Sequence, residues 1–328
     1  MCRYENPNMY ISKMIIKTFE KFSYTSFGIS SFMLLATAYY YTTLDIKWSI
    51  FESSLLNGVI IFGALMLSSF AIDTITRELT IERSNRNGYH LLLYPLVVLS
   101  YPIESVDLRF ILSSALLWAA WRHMRIFLEL TNNRKKIKRL FDASLLLSFS
   151  SLIIFENIFI FLVPIIVILI ANIRRDLKYF IVLVIVPIMI LPAAYVIISF
   201  LSLENYIFSS YIIGNHFSML NDYKFNLPIS YAPISIVFLL YLLSVSIKLY
   251  RTTGLQRRVL DIVGIIFIIL ISFFFSLNQE LSGSEFHYLS LPLVYFISQI
   301  FVKKIKSLYV NFIFIILIVS ILTFNFLI

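Results

Sequence analysis

Residues 134–178 read RKKIKRLFDASLLLSFSSLIIFENIFIFLVPIIVILIANIRRDLK. A basic cluster opens this stretch and a second one, Arg174-Arg175-Asp176-Leu177-Lys178, closes it. Between them lie two apolar runs, 141–155 and 157–173, parted by Glu156. Cations at both ends and one acid at the turn are the charge signature of a helical hairpin that enters and leaves a bilayer from one face. Each arm has about 16 residues, or about 24 Å at 1.5 Å per residue. That is less than the roughly 30 Å hydrocarbon core. The tip, Phe155-Glu156-Asn157, is therefore expected to lie below the far surface, in a water-filled recess.

The same alternation extends in both directions. Basic gaps recur at 13–21, 77–86, 134–139, 174–178, 248–258 and 303–306, and the gaps between them hold only Lys47, Arg109 and Lys224. Eleven spans of uneven length follow, at roughly 24–43, 54–73, 89–103, 108–128, 141–155, 157–173, 179–202, 231–250, 259–277, 286–302 and 308–328. The expected fold is all-α, a polytopic transmembrane bundle. By the positive-inside rule its N-terminus is cytoplasmic and its C-terminus lies on the outer side of the membrane. Residues 1–23 form a cytoplasmic N-terminal segment whose part 9–22 is amphipathic, and 24–328 form a single transmembrane domain. Ile11, Ile15, Ile16, Phe19 and Phe22 line one face of 9–22, which predicts a helix lying on the membrane surface.

Composition agrees. Of the 328 residues 59% are hydrophobic, and the mean hydropathy is +0.87. A soluble chain is only about half apolar. The net charge of +9 divides unevenly, with +15 on the cytoplasmic side of this topology and −6 on the other. Orientation and anionic lipid headgroups account for the excess, and nucleic acid is not an expected partner. Cys2 alone makes no disulfide framework. No cleavable signal peptide is visible. Tyr39, Tyr40 and Tyr41 fit an interfacial aromatic belt at the outer end of the first span.

Soluble-enzyme motifs are absent: no P-loop, GxGxxG, HExxH, CxxC or GxSxG. Four scattered histidines make no metal site, and no resident cofactor is called for. The outer acids are the informative set: Asp45, Glu52, Glu104, Asp107, Glu156, Glu204, Asp222, Glu280 and Glu285. Most are expected to be solvated loop charges. Asp45 and Glu52 stand in the first outer loop, 42–52, which is amphipathic enough to lie along the membrane surface. Glu280, Glu285 and His287 cluster just before Leu289-Ser290-Leu291-Pro292-Leu293. The long outer loop 203–230 carries Lys224.

Transfer of a sugar from a polyprenyl phosphate needs a carboxylate to take the proton of the acceptor hydroxyl. It also needs a cation for the leaving phosphate. Asp45 or Glu52 is the candidate base. His287 and Lys224 are the candidate phosphate contacts, with Glu285, Glu280 and Glu156 as further substrate-binding candidates. On the inner side, Arg122, His123 and Arg125 are expected to snorkel to headgroups, or to bind a lipid phosphate. Asp142 is expected to cap a helix.

Two resemblances carry these expectations further. Asn133-Arg134-Lys135-Lys136-Ile137-Lys138-Arg139-Leu140-Phe141-Asp142-Ala143-Ser144, with Arg122 to Leu130 upstream and Glu78-Leu79-Thr80-Ile81-Glu82, resembles a family of multi-pass inner-membrane proteins of Bacteroidetes marked by a "KKLFDAS" element. That family implies a fold and a source and no activity. More loosely, the basic loop, the short hairpin, Arg174-Arg175 and His287-Tyr288-Leu289-Ser290-Leu291-Pro292-Leu293 resemble the GT-C class of membrane glycosyltransferases, which use lipid-linked sugars. The class usually shows an acidic pair in its first outer loop, whereas here Asp45 and Glu52 stand seven apart.

The expected function is therefore a GT-C-like transferase of the bacterial envelope, acting on a polyprenyl-phosphate-linked sugar. A non-catalytic scaffold or assembly subunit bound to a membrane protein partner is the alternative, and a transporter or flippase centred on Glu156 is a third.

Overall fold

The computed structural model describes residues 18–19, 23–77, 88–101, 103–170, 177–200, 282–302, 319 and 321. This part of the chain is helical. The helices are α1 (Tyr24–Thr43), α2 (Ser54–Arg77), α3 (Tyr89–Leu99), α4 (Leu108–Glu129), α5 (Asn133–Ile153), α6 (Leu162–Ile170), α7 (Leu177–Phe200) and α8 (Ser290–Val302). Two 3-10 turns, Phe155–Phe161 and Ser284–Leu289, precede α6 and α8.

Most helices fall on apolar runs, α5 also taking in the basic run 134–139, and short polar residues start three of them. Ser23 and Ser26 form a reciprocal capping box before α1. Asp107 accepts the Arg109 amide before α4, and Asn132 accepts the Arg134 and Lys135 amides before α5. Such caps satisfy backbone N–H groups that the first turn leaves without helical partners.

Successive helices run in opposite directions. The end of α1 meets the end of α3 through Tyr41 and the Val98 carbonyl, 3.2 Å apart. The start of α4 meets the end of α5 through Ser113 and Ser150. At the opposite end of the bundle, the Gly88 amide bonds the Phe19 carbonyl, and Tyr179 of α7 bonds Asn133 of α5.

Beside an apolar core, the described residues combine exposed apolar side chains with buried small polar ones. Large apolar residues such as Phe32, Leu55, Ile188 and Met189 are exposed, whereas Ser26, Ser30, Ser68, Ser113, Ser144, Ser148 and Ser150 are buried. Small residues let helix backbones approach, and several hydroxyls bond back to carbonyls of their own helix, as Ser148 does to Ser144. Two helical stretches, Ser54–Ile75 and Leu177–Ala194, are long and apolar enough to cross a membrane. The eleven-span count goes beyond this. Runs 231–250 and 259–277, nearly all of 308–328, the loop 203–230 and most of 9–22 lie outside the described residues.

Several expectations change. The first outer loop carries structure that its amphipathic pattern did not suggest: Asp45–Trp48 form strand β1, paired in parallel with strand β2, Ser105–Asp107. Tyr41 is no belt residue; it is buried, while Tyr39 is exposed. Helix α5 starts at Asn133, so Asp142 sits mid-helix, 3.5 Å from both Arg139 and His123, and Asn132 is the cap. Arg125 does not snorkel; it is buried, donating to the Ile75 carbonyl at 2.9 Å. The hairpin tip is not a wet recess at Asn157, which is 0% exposed and enclosed by protein.

Candidate functional site

Three segments distant in sequence meet at the end of the bundle where α1 stops and α4 starts. The first is β1, which leaves α1 after Leu44. Its extended backbone pairs Asp45 with Ser105, Ile46 with Val106 and, after an irregularity, Trp48 with Asp107. Alternation along the strand leaves Asp45 and Lys47 exposed and Ile46 and Trp48 half-buried. The second is β2 with the first turn of α4. The third is the turn 282–289.

That last turn is tied to β2 by main-chain and hydroxyl bonds. The Glu104 and Ser105 amides donate to the Ser282 carbonyl at 3.2 and 3.3 Å. The Ser284 hydroxyl accepts from the Asp107 amide at 3.0 Å and donates to the Ser105 carbonyl at 3.2 Å. Gly283 opens the turn with φ at 84°, a left-handed value that an L side chain rarely adopts.

Asp107 and Arg109 form the strongest polar pair of the group. The Arg109 Nη2 lies 2.7 Å from Asp107 Oδ2, and Nε reaches both carboxylate oxygens at 3.1 and 3.2 Å. The guanidinium carbon sits 5.8 Å from the centre of the Trp48 ring, so β1 supplies an aromatic face for the cation. A guanidinium has five N–H donors. Asp107 engages the Nε edge and one Nη2 proton, and among the described residues the Nη1 side has no hydrogen-bond partner, on a side chain that is one-quarter exposed.

Glu285 is 8% exposed. Its Oε1 accepts from the Ser282 amide at 3.2 Å and the Ser282 hydroxyl at 3.0 Å, whereas Oε2 is buried with no partner among the described residues. Burial lifts its carboxyl above the usual value. The Ser282 bonds oppose that shift, and the Asp107 charge adds to it.

His287 lies deeper, 2% exposed. Its ring stands edge-on to Tyr41 and Tyr101, with centroids 5.8 and 5.7 Å away, and its Nε2 is 3.3 Å from the Tyr41 hydroxyl. Next to it, Tyr288 reaches a buried polar node. The Asn157 amide nitrogen donates to the Tyr288 hydroxyl at 2.7 Å, to Ser150 Oγ at 2.9 Å and to Ser113 Oγ. Thus the hairpin tip packs onto the same turn that carries Glu285 and His287.

The structure brings Asp45, Glu285 and His287 into this one group of segments. Glu52 is exposed on the loop after β1, held by Asn57, whose side chain bonds both the amide and the carbonyl of Phe51. Glu156 is half-buried beside Asn157, close enough for its charge to act on Tyr288. Lys224 and Glu280 lie outside the described residues. Among the described residues no cluster of three His, Cys, Asp or Glu side chains is poised to hold a metal ion.

The sequence reading passed over Asp107 and Arg109 as a pair, and Trp48 as the ring beneath Arg109. Asp107 did carry a signal, since an Asp immediately before an apolar run is a helix-start residue. Nothing local announced Trp48, whose role depends on the β1–β2 pairing. The chain matches no family model, no curated protein and no solved structure.

Proposed function

We propose that this chain is a helical membrane protein of the bacterial envelope that transfers a sugar from a polyprenyl-phosphate donor, in the manner of GT-C enzymes. One observation carries the reading: an exposed carboxylate, Asp45, sits on the strand whose Trp48 backs a partly exposed guanidinium, Arg109. In this reading the Asp45 carboxylate takes the proton of the acceptor hydroxyl as its oxygen bonds the anomeric carbon. The bond from that carbon to the phosphate oxygen breaks, and the polyprenyl phosphate leaves with the electron pair. The open Nη edge of Arg109 takes a phosphate oxygen in a charge-assisted bond, while Asp107 and Trp48 hold the guanidinium in place. The exposed large apolar side chains and the buried serines support the membrane setting.

A second reading, a non-catalytic membrane subunit, is favoured by the enclosure of His287 and of the buried face of Glu285. One experiment separates the two. The purified chain is given a labelled polyprenyl-phosphate sugar and a membrane acceptor fraction, and label transfer is followed. The transferase reading expects transfer by the native protein and about 100-fold less by Asp45→Asn at unchanged thermal unfolding. No transfer by the native protein, or equal transfer by the variant, overturns it.

A further inference from the structure

At the opposite end of the bundle, the first two turns of α5 overhang the core. Asn133, Arg134, Lys135 and Lys138 are exposed, and Leu140 is the first buried residue of the helix. Residues 133–139 extend about 10 Å and carry five cations: Arg134, Lys135, Lys136, Lys138 and Arg139. In isolation this arrangement is unfavourable. Arg134 and Lys138, and Lys135 and Arg139, are like charges four residues apart. All five lie toward the positive end of the helix dipole.

The chain itself supplies little compensation. Asp142 reaches Arg139 at 3.5 Å, and Lys136 lies over the Phe127 ring at 5.7 Å. No acid among the described residues pairs with Arg134, Lys135 or Lys138. Helix α4 then adds Arg122 and His123, both half-buried. The Arg139 Nη1 is 3.3 Å from His123 Nδ1, and the charges of Arg139 and Arg122 both act on that ring. The Arg122 Nε is buried with no acceptor among the described residues, an uncommon state for a buried donor.

What lies alongside this cluster identifies the partner. Phe141, one residue beyond Leu140, is 45% exposed, and Leu177 at the start of α7 is 74% exposed. Tyr179 bonds Asn133 and packs edge-on to Phe127, which places the start of α7 beside the start of α5. Cations and the Arg122 Nε donor therefore meet exposed apolar side chains along one boundary. A ligand with an anionic oxygen-rich head and a hydrocarbon tail matches both sides of it. A soluble polyanion matches only the first.

We propose that the ends of α4 and α5 form a docking surface for the phosphate headgroups of anionic phospholipids, in the leaflet facing the basic loops. Arg122 and Arg139 grip the phosphate, Arg134, Lys135 and Lys138 supply the attracting field, and Phe141 and Leu177 lie along the acyl chain. This inference needs the membrane setting and does not depend on the transferase reading.

The test uses the full chain purified in detergent. Retention of phosphatidylglycerol and of phosphatidylcholine is measured by native mass spectrometry, at two salt concentrations. The native protein is expected to retain phosphatidylglycerol preferentially, more so at low salt. The exposed triple variant Arg134→Gln, Lys135→Gln, Lys138→Gln should retain about tenfold less phosphatidylglycerol or weaker still, with phosphatidylcholine unchanged. Arg139→Gln, made alone, should shift in the same direction. Equal retention of the two lipids by the native protein, or native retention in both variants, overturns the proposal. So does displacement of the lipid by inorganic phosphate, which assigns a free-phosphate site, or by a short RNA, which assigns a polyanion surface.

Discussion

The Nε2 of His287 lies 3.3 Å from the phenol oxygen of Tyr41, across 246 residues of chain. The same hydroxyl is 3.2 Å from the Val98 carbonyl, so one side chain joins α1, the end of α3 and the turn before α8. Tyr41→Phe keeps the ring contact and removes both hydrogen bonds. It should destabilise the protein by about 1–3 kcal/mol, because a buried polar group loses its partner. Thermal unfolding in detergent reads this directly, and an unchanged midpoint would show that the hydroxyl is not shared.

The node formed by Asn157, Ser113, Ser150 and Tyr288 should behave as a unit. Asn157→Ala removes a donor from three hydroxyls, and Tyr288→Phe removes one of its acceptors. Each should cost about 1–3 kcal/mol. The double variant should cost less than the two together, with a coupling of about 0.5–3 kcal/mol. Strict additivity in denaturant titrations would mean that the two side chains act separately.

Glu285 gives a pH dependence of definite sign. Burial raises its carboxyl above the ordinary carboxylate range, so the folded protein holds that proton to higher pH than the unfolded chain does. Stability from this group is fully present below the unfolded value and falls as pH rises toward the folded one. Glu285→Gln should flatten stability in that window. A native-like slope in the variant would trace the dependence to another group.

Two glycines of α2 should respond oppositely to alanine. A Cβ at Gly63 meets nothing within 4 Å, whereas one at Gly58 meets the Thr42 methyl at 2.9 Å. Gly63→Ala should therefore add up to about 1 kcal/mol of helix stability. Gly58→Ala should lose that gain to overpacking, which costs about 1–3 kcal/mol. Matching unfolding midpoints for the two variants would contradict the close approach of α1 and α2.

Asp73 and His90 tie α2 to α3 through a buried contact of 2.8 Å. Replacing Asp73 with Leu leaves the buried imidazole without that hydrogen-bond partner, at a cost of about 1–3 kcal/mol. Asp73→Asn, which retains a hydrogen-bonding group of the same shape, should lose less. Equal losses would assign the cost to packing alone.

Helix positions were legible from residues alone wherever an apolar run was long and a short polar residue preceded it. Ser23 and Asp107 each stand at such a boundary. The hairpin 141–173 was legible as two arms with an acid between them. Its interior was not, because nothing in the run Phe155-Glu156-Asn157 says that Asn157 turns toward Tyr288, 131 residues later. Asp142 was misread because a basic run looked like a loop, while Asn132 already supplied the cap that carries the helix through Arg134 to Arg139.

Hydropathy and charge are properties of neighbouring residues, so the sequence by itself determined the helical character and the clustering of basic residues between apolar runs. The parallel pairing of Asp45–Trp48 with Ser105–Asp107 depends on backbone groups some 60 residues apart finding one another. Only the tertiary structure decided it, and with it the placement of Trp48 under Arg109. The same holds for Glu285 and His287. They read as outer-loop side chains in the sequence and become buried because the turn that carries them is hydrogen-bonded onto β2.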